Sequence, residues 1–537
     1  MTFNSRSITI FNTMPLAFRY LAVFVVFIFA IGGTGSANAQ MSVLYTFQFD
    51  SSTSSFPNGQ QPSSELMQGA DGNYYAITAF GGAGGCPGLI GGETMGCGAV
   101  VRITAAGAFS ILYSFPYDAS NQTAPNGVDA LGGLVQGPDG NFYGTTGWGG
   151  TVQNCAMPFM SGAGCGAVFK LTPAGALTVL HSFCGVVGCG ALTVDGWLPM
   201  GRLIFGSDGN LYGTTNQGGN GGNIFNSGTI FKISRSGAYT ILHMFSGNGG
   251  TGDGANPAVG LIQASDGNFY GTTQVGGVNG AGTVFKMKTS GAVTVLHSFS
   301  TSDGNGTYPQ SALVEASDGN LYGTCYSGGA NSVGTVFRIS KSGSFQKIHD
   351  FSNASGNDGY APKAGLIQAS DGNLYGTTWA GGTNFGDSGT LYQITTAGAL
   401  TLLANFDANT TGFQPLDVPL QGSDGSLYVT LVYGGGQNAQ GVQNQGAIDR
   451  FTTGLAPPSP VIKSFSPAQG IVGVKVTISG SSFVGGTSVS FNGTHASFMV
   501  KASGFIVATV PAGASTGPIT VTTPGGTATS KKSFTVL

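Results

Sequence analysis

A chain of 537 residues is longer than a single hydrophobic core usually serves, so several domains or a repeat array are expected. Only 8% of the residues are charged and the formal net charge is −3, which excludes the basic surface that attracts nucleic acid or acidic lipid. Gly (94) and Pro (22) make up about 22% of the chain, against a usual value of about 12%, and because Gly recurs at fixed places this excess indicates turns between many short strands.

Residues 1–39 are typical of an export signal. Arg6 and Arg19 precede an apolar run from residue 21 to 31, and Ala37-Asn38-Ala39 provides an A-x-A pattern with cleavage before Gln40. The run has about 11 residues, fewer than the roughly 20 that cross a membrane, so a membrane anchor is only the alternative. We therefore expect an exported protein, secreted or at the cell surface, with no membrane insertion after cleavage.

One stretch, LIQASDGNLYGTTWAGG at residues 366–382, recurs along most of the chain and is typical of a β-hairpin. Apolar residues precede an Asp-Gly-Asn turn, and an aromatic, Thr-rich strand follows it. A Gly-rich loop, a strand such as GTVFKM, a turn and a strand such as TVLHSF come next, so each unit is predicted to contain four strands. The aspartates of the seven Asp-Gly turns are Asp71, Asp139, Asp208, Asp266, Asp318, Asp371 and Asp424.

The fourth strand of the repeat is displaced. It follows only six of the seven GTVF-like strands, whereas residues 43–47, just after the signal, form a fourth-strand sequence with no unit of its own. A closed ring can pair this strand with residues 447–451, while an open array has no reason to keep it. We therefore predict an all-β fold in which residues 40–455 form a seven-bladed β-propeller closed by an N-terminal strand; an extended β-solenoid is the alternative.

The motifs SDGNLYGTTxxGG, GTVFK and TVLHSF resemble the tandem repeat called GloVer, found in exported bacterial proteins that often carry varied C-terminal anchors. The resemblance covers about residues 43–451. It implies a secreted repeat protein whose biochemical role is not settled. No anchor-like tail is recognised in this sequence.

Residues 456–460 (APPSP) form a stiff, Pro-rich linker. Beyond it, residues 461–537 contain short strands separated by Gly and Pro turns, enough for a small β-sandwich. The order ISGSSF, VSFNG, VPAGASTGPITVTTPGG resembles the IPT/TIG domain, which implies an immunoglobulin-like fold used as a spacer or a binding module.

Residues that recur in every unit are interpreted as structural, because a catalytic group is needed only once. The Asp-Gly aspartates are therefore predicted to be turn residues. Four histidines occupy a fourth-strand position where Tyr45 and Tyr113 also occur, so we predict that they pack with a polar tip. These are His181, His243, His297 and His349. One third-strand position holds Gln393 in the sixth unit and a basic residue in the other units. We favour a structural role for these residues over a ring of basic residues that binds a ligand. The basic residues at this position are Arg102, Lys170, Lys232, Lys286, Arg338 and Arg450.

Motifs that carry chemistry are absent or misplaced. The GxSxG match at residues 513–517 has β-type sequence on both sides, although this motif works at a strand-to-helix turn. The sequence also lacks HExxH, CxxC and a phosphate-binding Gly loop before a helix. We expect no cofactor and no metal.

The cysteines flank Gly-rich loops of the first two units. Because an exported chain makes disulfides plausible, we predict the local pairs Cys86–Cys97, Cys155–Cys165 and Cys184–Cys189. The remaining cysteine, Cys325, falls inside a strand, and a buried free thiol is predicted.

The loops that differ between units offer the best candidate site. In an antiparallel meander, the second–third loops and the unit-to-unit loops lie on one side of the ring, which holds all six paired cysteines and four aromatic residues. Variable loops on a rigid scaffold usually carry binding, while burial between blades is the alternative for the aromatics. The candidate binding residues are Trp148, Trp197, Tyr326 and Trp379.

Two functions follow. The first is a non-catalytic, monomeric extracellular protein that binds or scaffolds a glycan or a protein. The second is a polysaccharide-acting hydrolase or lyase with carboxylates at the mouth of the ring. Glu93 and Asp387 are candidates for that chemistry because they are less repetitive. Four other aspartates recur in an Asp-Gly turn before Pro and are explained first as structural, namely Asp195, Asp253, Asp303 and Asp358.

Overall fold

The structure is a computed structural model. It describes residues 40–48, 57–82, 96–118, 123–130, 132–151, 164–183, 195–219, 227–247, 252–257, 259–352, 358–382, 388–436 and 445–537. Within these ranges the chain is all-β and forms no helix. No helix long and apolar enough to cross a membrane occurs in this described part.

The repeat region folds into antiparallel sheets of short strands. In chain order its strands are β1 (Gln40–Thr46), β2 (Gln60–Pro62), β3 (Met67–Gln68), β4 (Tyr74–Phe80), β5 (Ala99–Ile103), β6 (Phe109–Ser114), β7 (Val135–Gln136), β8 (Phe142–Thr146), β9 (Ala167–Leu171), β10 (Leu177–Ser182), β11 (Ile204–Phe205), β12 (Leu211–Thr215), β13 (Thr229–Ile233), β14 (Tyr239–Met244), β15 (Ile262–Gln263), β16 (Phe269–Thr273), β17 (Thr283–Met287), β18 (Val293–Ser298), β19 (Val314–Glu315), β20 (Leu321–Cys325), β21 (Thr335–Ile339), β22 (Phe345–Asp350), β23 (Ile367–Gln368), β24 (Leu374–Thr378), β25 (Thr390–Ile394), β26 (Leu400–Asn405), β27 (Leu420–Gln421), β28 (Leu427–Leu431) and β29 (Ala447–Thr452).

These strands make seven sheets within the described residues, numbered here sheet 1 to sheet 7 in chain order. Sheets 2 to 6 each contain four consecutive strands, from β7–β10 to β23–β26. Sheet 7 contains β27, β28 and β29 and is completed by β1, which pairs with β29 from Gln40 opposite Thr452 to Thr46 opposite Ala447. The predicted closure by the N-terminal strand is thus confirmed, which removes the reason to prefer a solenoid.

Sheet 1 differs from the predicted four strands because β2 and β3 both pair with β4. The additional strand places Gln60 opposite Phe80 and Pro62 opposite Thr78. In the other sheets the same connection makes only a single bridge, as Trp197 does with Gln217. The difference is therefore one of pairing length and not of topology.

The predicted role of the Asp-Gly aspartates as turn residues is confirmed. In sheet 6 the Asp371 carboxylate accepts hydrogen bonds from the backbone N (3.1 Å) and Nδ2 (2.8 Å) of Asn373 and from Tyr375 Oη (2.9 Å). Gly372 in this turn has φ +82°, which favours glycine. The aspartate–tyrosine contact of 2.7–2.9 Å recurs in the other sheets as Asp71–Tyr75, Asp139–Tyr143, Asp208–Tyr212, Asp266–Tyr270, Asp318–Tyr322 and Asp424–Tyr428.

Neighbouring sheets are joined beside these turns by a side-chain clamp. A glutamine or glutamate at the end of the first strand accepts a hydrogen bond from the backbone N of the residue before the turn aspartate in the preceding sheet. The donor–acceptor pairs are Ala70–Gln136 (2.9 Å), Ser207–Gln263 (2.8 Å), Ser265–Glu315 (2.8 Å), Ser317–Gln368 (2.7 Å), Ser370–Gln421 (3.0 Å) and Ser423–Gln68 (2.9 Å). The last pair joins sheet 7 to sheet 1, so the sheets follow one another in a closed, propeller-like ring.

The interface between sheets 2 and 3 lacks this clamp. Pro138 stands at the donor position and has no N–H, and Phe205 stands at the acceptor position. The Phe205 ring instead makes an edge-to-face contact with Phe505 of the C-terminal domain, at 5.3 Å between centroids and 83°. The one unclamped interface is therefore also a docking point for that domain.

Aromatic rings fill the spaces between sheets. The phenylalanine that ends each fourth strand packs against the third strand of the following sheet, as Phe183 does with Phe231 (5.5 Å) and Phe351 with Tyr392 (5.3 Å). Such pairs contribute about 0.5–1.5 kcal/mol beyond the burial of their area.

The first strands converge on the axis of the ring. Arg202 Nη1 of sheet 3 lies 2.7 Å from Glu65 Oε2 of sheet 1, across the intervening sheet 2. Gly133 of sheet 2 lies between them, since a Cβ there would lie 3.6 Å from the Glu65 Cβ. An ion pair thus occupies the centre of the ring.

The C-terminal domain is a sandwich of two sheets around a separate core. One sheet has the order β30-β32-β36-β35 and the other the order β31-β38-β37-β33-β34. The alternating burial of its strands places apolar residues such as Val476, Phe491 and Phe534 in the core. The strands are β30 (Val461–Ser466), β31 (Gln469–Gly470), β32 (Lys475–Ser481), β33 (Ser488–Phe491), β34 (Thr494–His495), β35 (Phe498–Ala502), β36 (Phe505–Thr509), β37 (Gly517–Thr523) and β38 (Gly526–Val536).

The C-terminal domain lies on the side of the ring that carries the Asp-Gly turns, which we call the turn side. Ser370 Oγ (2.7 Å) and Gln421 Nε2 (3.1 Å) donate hydrogen bonds to the backbone oxygen of Ala456 in the linker. A cavity of about 190 Å³ separates the first strands from the domain, and Arg202 and Ser503 are among its lining residues. The opposite side of the ring, which holds the second–third loops and the sheet-to-sheet connections, is called the loop side.

Candidate functional site

The loop side is framed by one strained residue per sheet. In each sheet-to-sheet connection a residue other than glycine has φ between 52° and 59°, in the left-handed region. Its backbone is held by the preceding sheet, as when Ala361 N donates to Val333 O at 2.8 Å. These residues are Gln61, Asp129, Leu198, Asn256, Tyr308, Ala361 and Gln414. A fixed backbone thus presents a different side chain at each equivalent place.

Two of the candidate aromatics, Trp148 and Trp197, form a partly buried pair. Their centroids lie 5.7 Å apart with the rings at 63°. Trp148 packs against the core between sheets 1 and 2, and Trp197 against the core between sheets 2 and 3. This pair fits the alternative of burial between sheets.

The other two, Tyr326 and Trp379, face a common cation. Lys363 Nζ lies 3.9 Å from the centroid of the Trp379 ring and 5.6 Å from that of Tyr326. Tyr326 follows β20 of sheet 5 and Trp379 follows β24 of sheet 6, while Lys363 lies on the connection into sheet 6. Tyr326 N donates to the backbone oxygen of Tyr308, whose side chain is 37% exposed. We call Tyr326, Lys363 and Trp379 the cation–aromatic group.

Sheet 5 fixes the backbone that carries Lys363. Thr324 Oγ1 donates hydrogen bonds to the backbone oxygens of Pro362 (3.3 Å) and Ala364 (2.9 Å), on both sides of Lys363. Burial lowers the pKa of Lys363. The cation is therefore held in place and partly removed from water.

Sequence reasoning missed Lys363 because lysine is usually a surface residue with no defined partner. The signal was available in the repeat itself. The position equivalent to Lys363, which follows a Pro in every unit but the second, is uncharged in all the other units, where it holds Ser63, Leu131, Met200, Ala258, Gln310 and Leu416.

The two pairs of aromatics are thus distinct groups, and within the described residues no ring contact links one to the other. Cys97 (2% exposed) and Cys165 (0%) are buried where the loops of sheets 1 and 2 return to the ring. Their predicted partners Cys86 and Cys155, and the pair Cys184–Cys189, lie outside the described residues. Cys325 is buried and free, as predicted, and burial raises the pKa of its thiol.

The predicted structural role of three fourth-strand histidines is confirmed. His181 Nε2 lies 3.2 Å from Asp195, His243 Nε2 2.9 Å from Asp253, and His349 Nε2 2.7 Å from Asp358. Where tyrosine replaces histidine, asparagine replaces aspartate. Asn58 Nδ2 donates to Tyr45 Oη (3.2 Å) and Asn126 Nδ2 to Tyr113 Oη (2.6 Å).

The protonation of these groups follows their contacts. Burial alone would raise the pKa of Asp253, but hydrogen bonds from His243 and Ser246 hold it below its usual value. Burial lowers the pKa of His297, although Asp303 opposes this shift. These aspartates tie the fourth strands to the connections, which supports the structural interpretation over the catalytic one.

The basic third-strand residues also have structural partners. Lys286 Nζ lies 3.1 Å from the Asp266 carboxylate and Arg450 Nη2 2.7 Å from that of Asp424. Gln393, which replaces the basic residue in sheet 6, donates from Nε2 to Asp371 at 3.0 Å. All three side chains reinforce the Asp-Gly turn.

Two carboxyl groups in the sheet-to-sheet connections have raised pKa values. Burial, together with the charge of Glu65, raises the pKa of Asp417 to about 8. Burial raises the pKa of Asp129 to about 6. Thr430 Oγ1 donates to Asp417 Oδ2 at 3.3 Å, an ordinary structural contact.

The sequence features considered for catalysis do not form a site in the described part of the chain. Glu93 and Asp387 lie outside the described residues. Ser515 precedes a strand, not a helix, and its Oγ accepts a hydrogen bond from Asn492 Nδ2 at 2.9 Å. No group of three or more histidine, cysteine, aspartate or glutamate residues that could hold a metal occurs in the described ranges.

Comparison with solved structures gives distant similarities. A fungal alcohol oxidase of the AA5 family in complex with copper is 12% identical, covers 93% of this chain and 99% of its own, and has a TM-score of 0.45. A Dyadobacter fermentans protein of unknown function is 11% identical, covers 78% of this chain and 100% of its own, and has a TM-score of 0.40. At these values neither similarity carries an argument about activity. No curated protein matches the chain.

Family models match residues 27–536 of the chain. The Gloeobacter/Verrucomicrobia repeat matches at residues 27–220, 88–315, 199–443 and 315–497. The IPT/TIG domain matches residues 460–536, which include the C-terminal sandwich. The chain therefore belongs to the Gloeobacter/Verrucomicrobia repeat family and ends in an IPT/TIG domain.

Proposed function

We propose that this protein is a secreted, non-catalytic binding protein that holds an extracellular glycan at the loop side of the ring. The observation that carries the proposal is the cation–aromatic group, which combines two partly buried rings with a fixed cation on the side away from the IPT/TIG domain. Ligand sites typically combine aromatic walls with a few polar groups that fix orientation.

The surroundings of this group are suited to a polar, ring-shaped ligand. At three equivalent loop-side positions of each sheet, aromatic residues occur only in sheets 5 and 6, as Tyr308, Tyr326 and Trp379. Amides stand at these positions in several sheets, including the neighbouring sheet 4, and are Gln61, Asn216, Asn256, Gln274, Gln310 and Gln414. Amides supply both hydrogen-bond donors and acceptors, which suits sugar hydroxyls.

Export and cross-linking belong to the same proposal. Residues 1–39 have the composition of a signal peptide, and cleavage before Gln40 leaves β1 at the start of the mature chain. Disulfides Cys86–Cys97, Cys155–Cys165 and Cys184–Cys189 are proposed for the loops. Cys97 and Cys165 are both buried where these loops return to the ring, which supports the first two pairs.

The IPT/TIG domain is proposed to act as a spacer or a second contact. It occupies the turn side, where the linker and Phe505 contact the ring. This arrangement leaves the loop side as the proposed binding surface.

The test is a panel of immobilised polysaccharides, scored for retention of the secreted protein and for cleavage in one assay. We expect retention without cleavage, and loss of retention in Trp379→Ala with little change in melting temperature. Trp148→Ala is the matched control, since it should lower the melting temperature and leave retention below that temperature intact. Turnover of any polysaccharide, or equal retention of Trp379→Ala and the wild type, would contradict the proposal.

A further inference from the structure

We propose that the ligand is an acidic glycan, with an anionic group that pairs with Lys363 while sugar rings contact Trp379 and Tyr326. This inference rests on the proposed function and specifies the chemical class of its ligand. It follows from the surroundings of the Lys363 ammonium group, which include no counter-ion among the described residues.

Lys363 carries a charge that the described protein does not neutralise. Its contacts are the faces of two rings, at 3.9 Å and 5.6 Å, and no ion pair or hydrogen bond joins Nζ to another described residue. An ammonium group has three N–H donors, and an aromatic face satisfies them only in part. Because a partly buried charge without a counter-ion is costly, the position is poised to accept an anion.

Three other lysines in the ring show the contrast. Lys286 is paired with Asp266, Lys341 with Glu315, and Lys347 with Asp350. These pairs neutralise the cation within the protein. At Lys363 the place of the carboxylate is taken by the two rings, so an anion has to come from a ligand.

The backbone around Lys363 is arranged before any ligand binds. Thr324 holds the peptide oxygens of Pro362 and Ala364, and Ala361 is fixed at φ 54°. Preorganised groups lose less entropy on binding, which favours a specific contact over a general charge effect. A free carboxylate and a sulfate monoester both offer the required anion, since lysine acts as a point charge without the planar preference of arginine.

The experiment compares matched acidic and neutral glycans with the secreted full-length protein. Polygalacturonate and its methyl ester form the carboxylate pair, and dextran sulfate and dextran form the sulfate pair. We expect one acidic member to bind at least about tenfold more tightly than its neutral counterpart. Lys363→Gln should bind the acidic and neutral members about equally, whereas Lys363→Arg should largely keep the preference.

Lys288→Gln is the matched control, because Lys288 is exposed in a turn on the turn side and its removal changes the net charge equally. The control should keep the preference for the acidic glycan. Equal binding of the acidic and neutral members in both pairs, or an unchanged preference in Lys363→Gln, would overturn this inference while leaving glycan binding intact. If no member of either pair binds, the proposed function and this inference both fail.

Discussion

The turn side and the loop side of the ring are built from opposite kinds of sequence position. On the turn side the same aspartate, glycine and tyrosine recur in every sheet, and their contacts agree within 0.2 Å. On the loop side the backbone recurs but the side chains differ, from Leu198 to Tyr308 to Ala361 at one equivalent place. The comparison indicates that repeated residues make the scaffold, while diverging residues on the loop side are available for binding.

The largest effect should come from removing a repeated turn contact. Asp266 accepts hydrogen bonds from Asn268, Tyr270 and Lys286, and Tyr270 is fully buried. We expect Asp266→Ala to lower the free energy of unfolding by about 2–3 kcal/mol, because the buried hydroxyl loses its acceptor. Urea denaturation of the purified protein measures the change.

The effect of Asp266→Ala should depend on pH. Burial alone would raise the pKa of Asp266, but its hydrogen bonds hold the pKa well below the usual value. A carboxyl group whose pKa is lowered in the folded state contributes its full stability above about pH 4. This contribution is lost as the pH falls toward the pKa of the carboxyl group in the folded protein. The wild type and the variant should therefore converge in acid. A difference that persists unchanged at pH 2 would rule out this contact as its source.

A residue that differs from its equivalents in the other sheets, but is buried inside the ring, should instead lower the free energy of unfolding. Asp449 of sheet 7 occupies the third-strand position where Phe169, Phe231 and Phe285 stand in other sheets, and it is fully buried with no partner for either carboxylate oxygen among the described residues. Burial raises the pKa of Asp449 well above its usual value. We expect Asp449→Leu to raise the free energy of unfolding by about 2 kcal/mol at pH 8.

The pH dependence at Asp449 has the opposite sign to that at Asp266. A raised pKa in the folded state means that wild-type stability is lost as the pH rises from about 4 toward the folded pKa. The gain from Asp449→Leu should therefore shrink at pH 4.5. Asp449→Asn, which cannot ionise but stays polar, serves as the control. Its free energy of unfolding, like that of Asp449→Leu, should not depend on the ionisation of residue 449, and its gain over the wild type at pH 8 should be smaller. A gain of equal size at both pH values would show that charge burial is not its cause.

The smallest effect should come from rebuilding the unclamped interface. The double change Pro138→Ser and Phe205→Gln restores the hydrogen-bond donor and acceptor found at the other six interfaces. It also removes the phenyl group of Phe205 that contacts Phe505. We expect ring stability to change by less than about 1 kcal/mol. The IPT/TIG domain should become easier to separate, seen as faster proteolysis in residues 456–460. Gln263→Leu, which only removes a clamp, should leave that cleavage rate unchanged; faster cleavage there would contradict the assignment of docking to Phe205.

Much of the ring could be predicted from the sequence because its structural devices repeat. Counting the fourth strands predicted that residues 43–47 would complete the last sheet, and the pairing of β1 with β29 confirms it. The recurrence of aspartate before glycine predicted a turn role, and the exchange of histidine for tyrosine predicted packing. Repetition turns one sequence into several comparable observations.

The features that were missed depend on contacts between positions that occur once. Lys363 gains meaning only where Tyr326 of the preceding sheet and Trp379 of its own sheet come together. The docking of the IPT/TIG domain depends on Phe205 meeting Phe505, which are 300 residues apart. The pairing of Trp148 with Trp197 likewise could not be inferred from their loops. Such contacts follow from the closure of the ring, which the local pattern does not specify.

Hydroxyl-radical footprinting of the purified protein with a bound acidic glycan tests the central claim most directly. We expect protection of Trp379, Tyr326 and Tyr308 on the loop side, and no protection of Met499 or Phe505 in the IPT/TIG domain. Protection confined to the IPT/TIG domain or to the turn side would contradict the claim that the diverging residues of the loop side form the binding site.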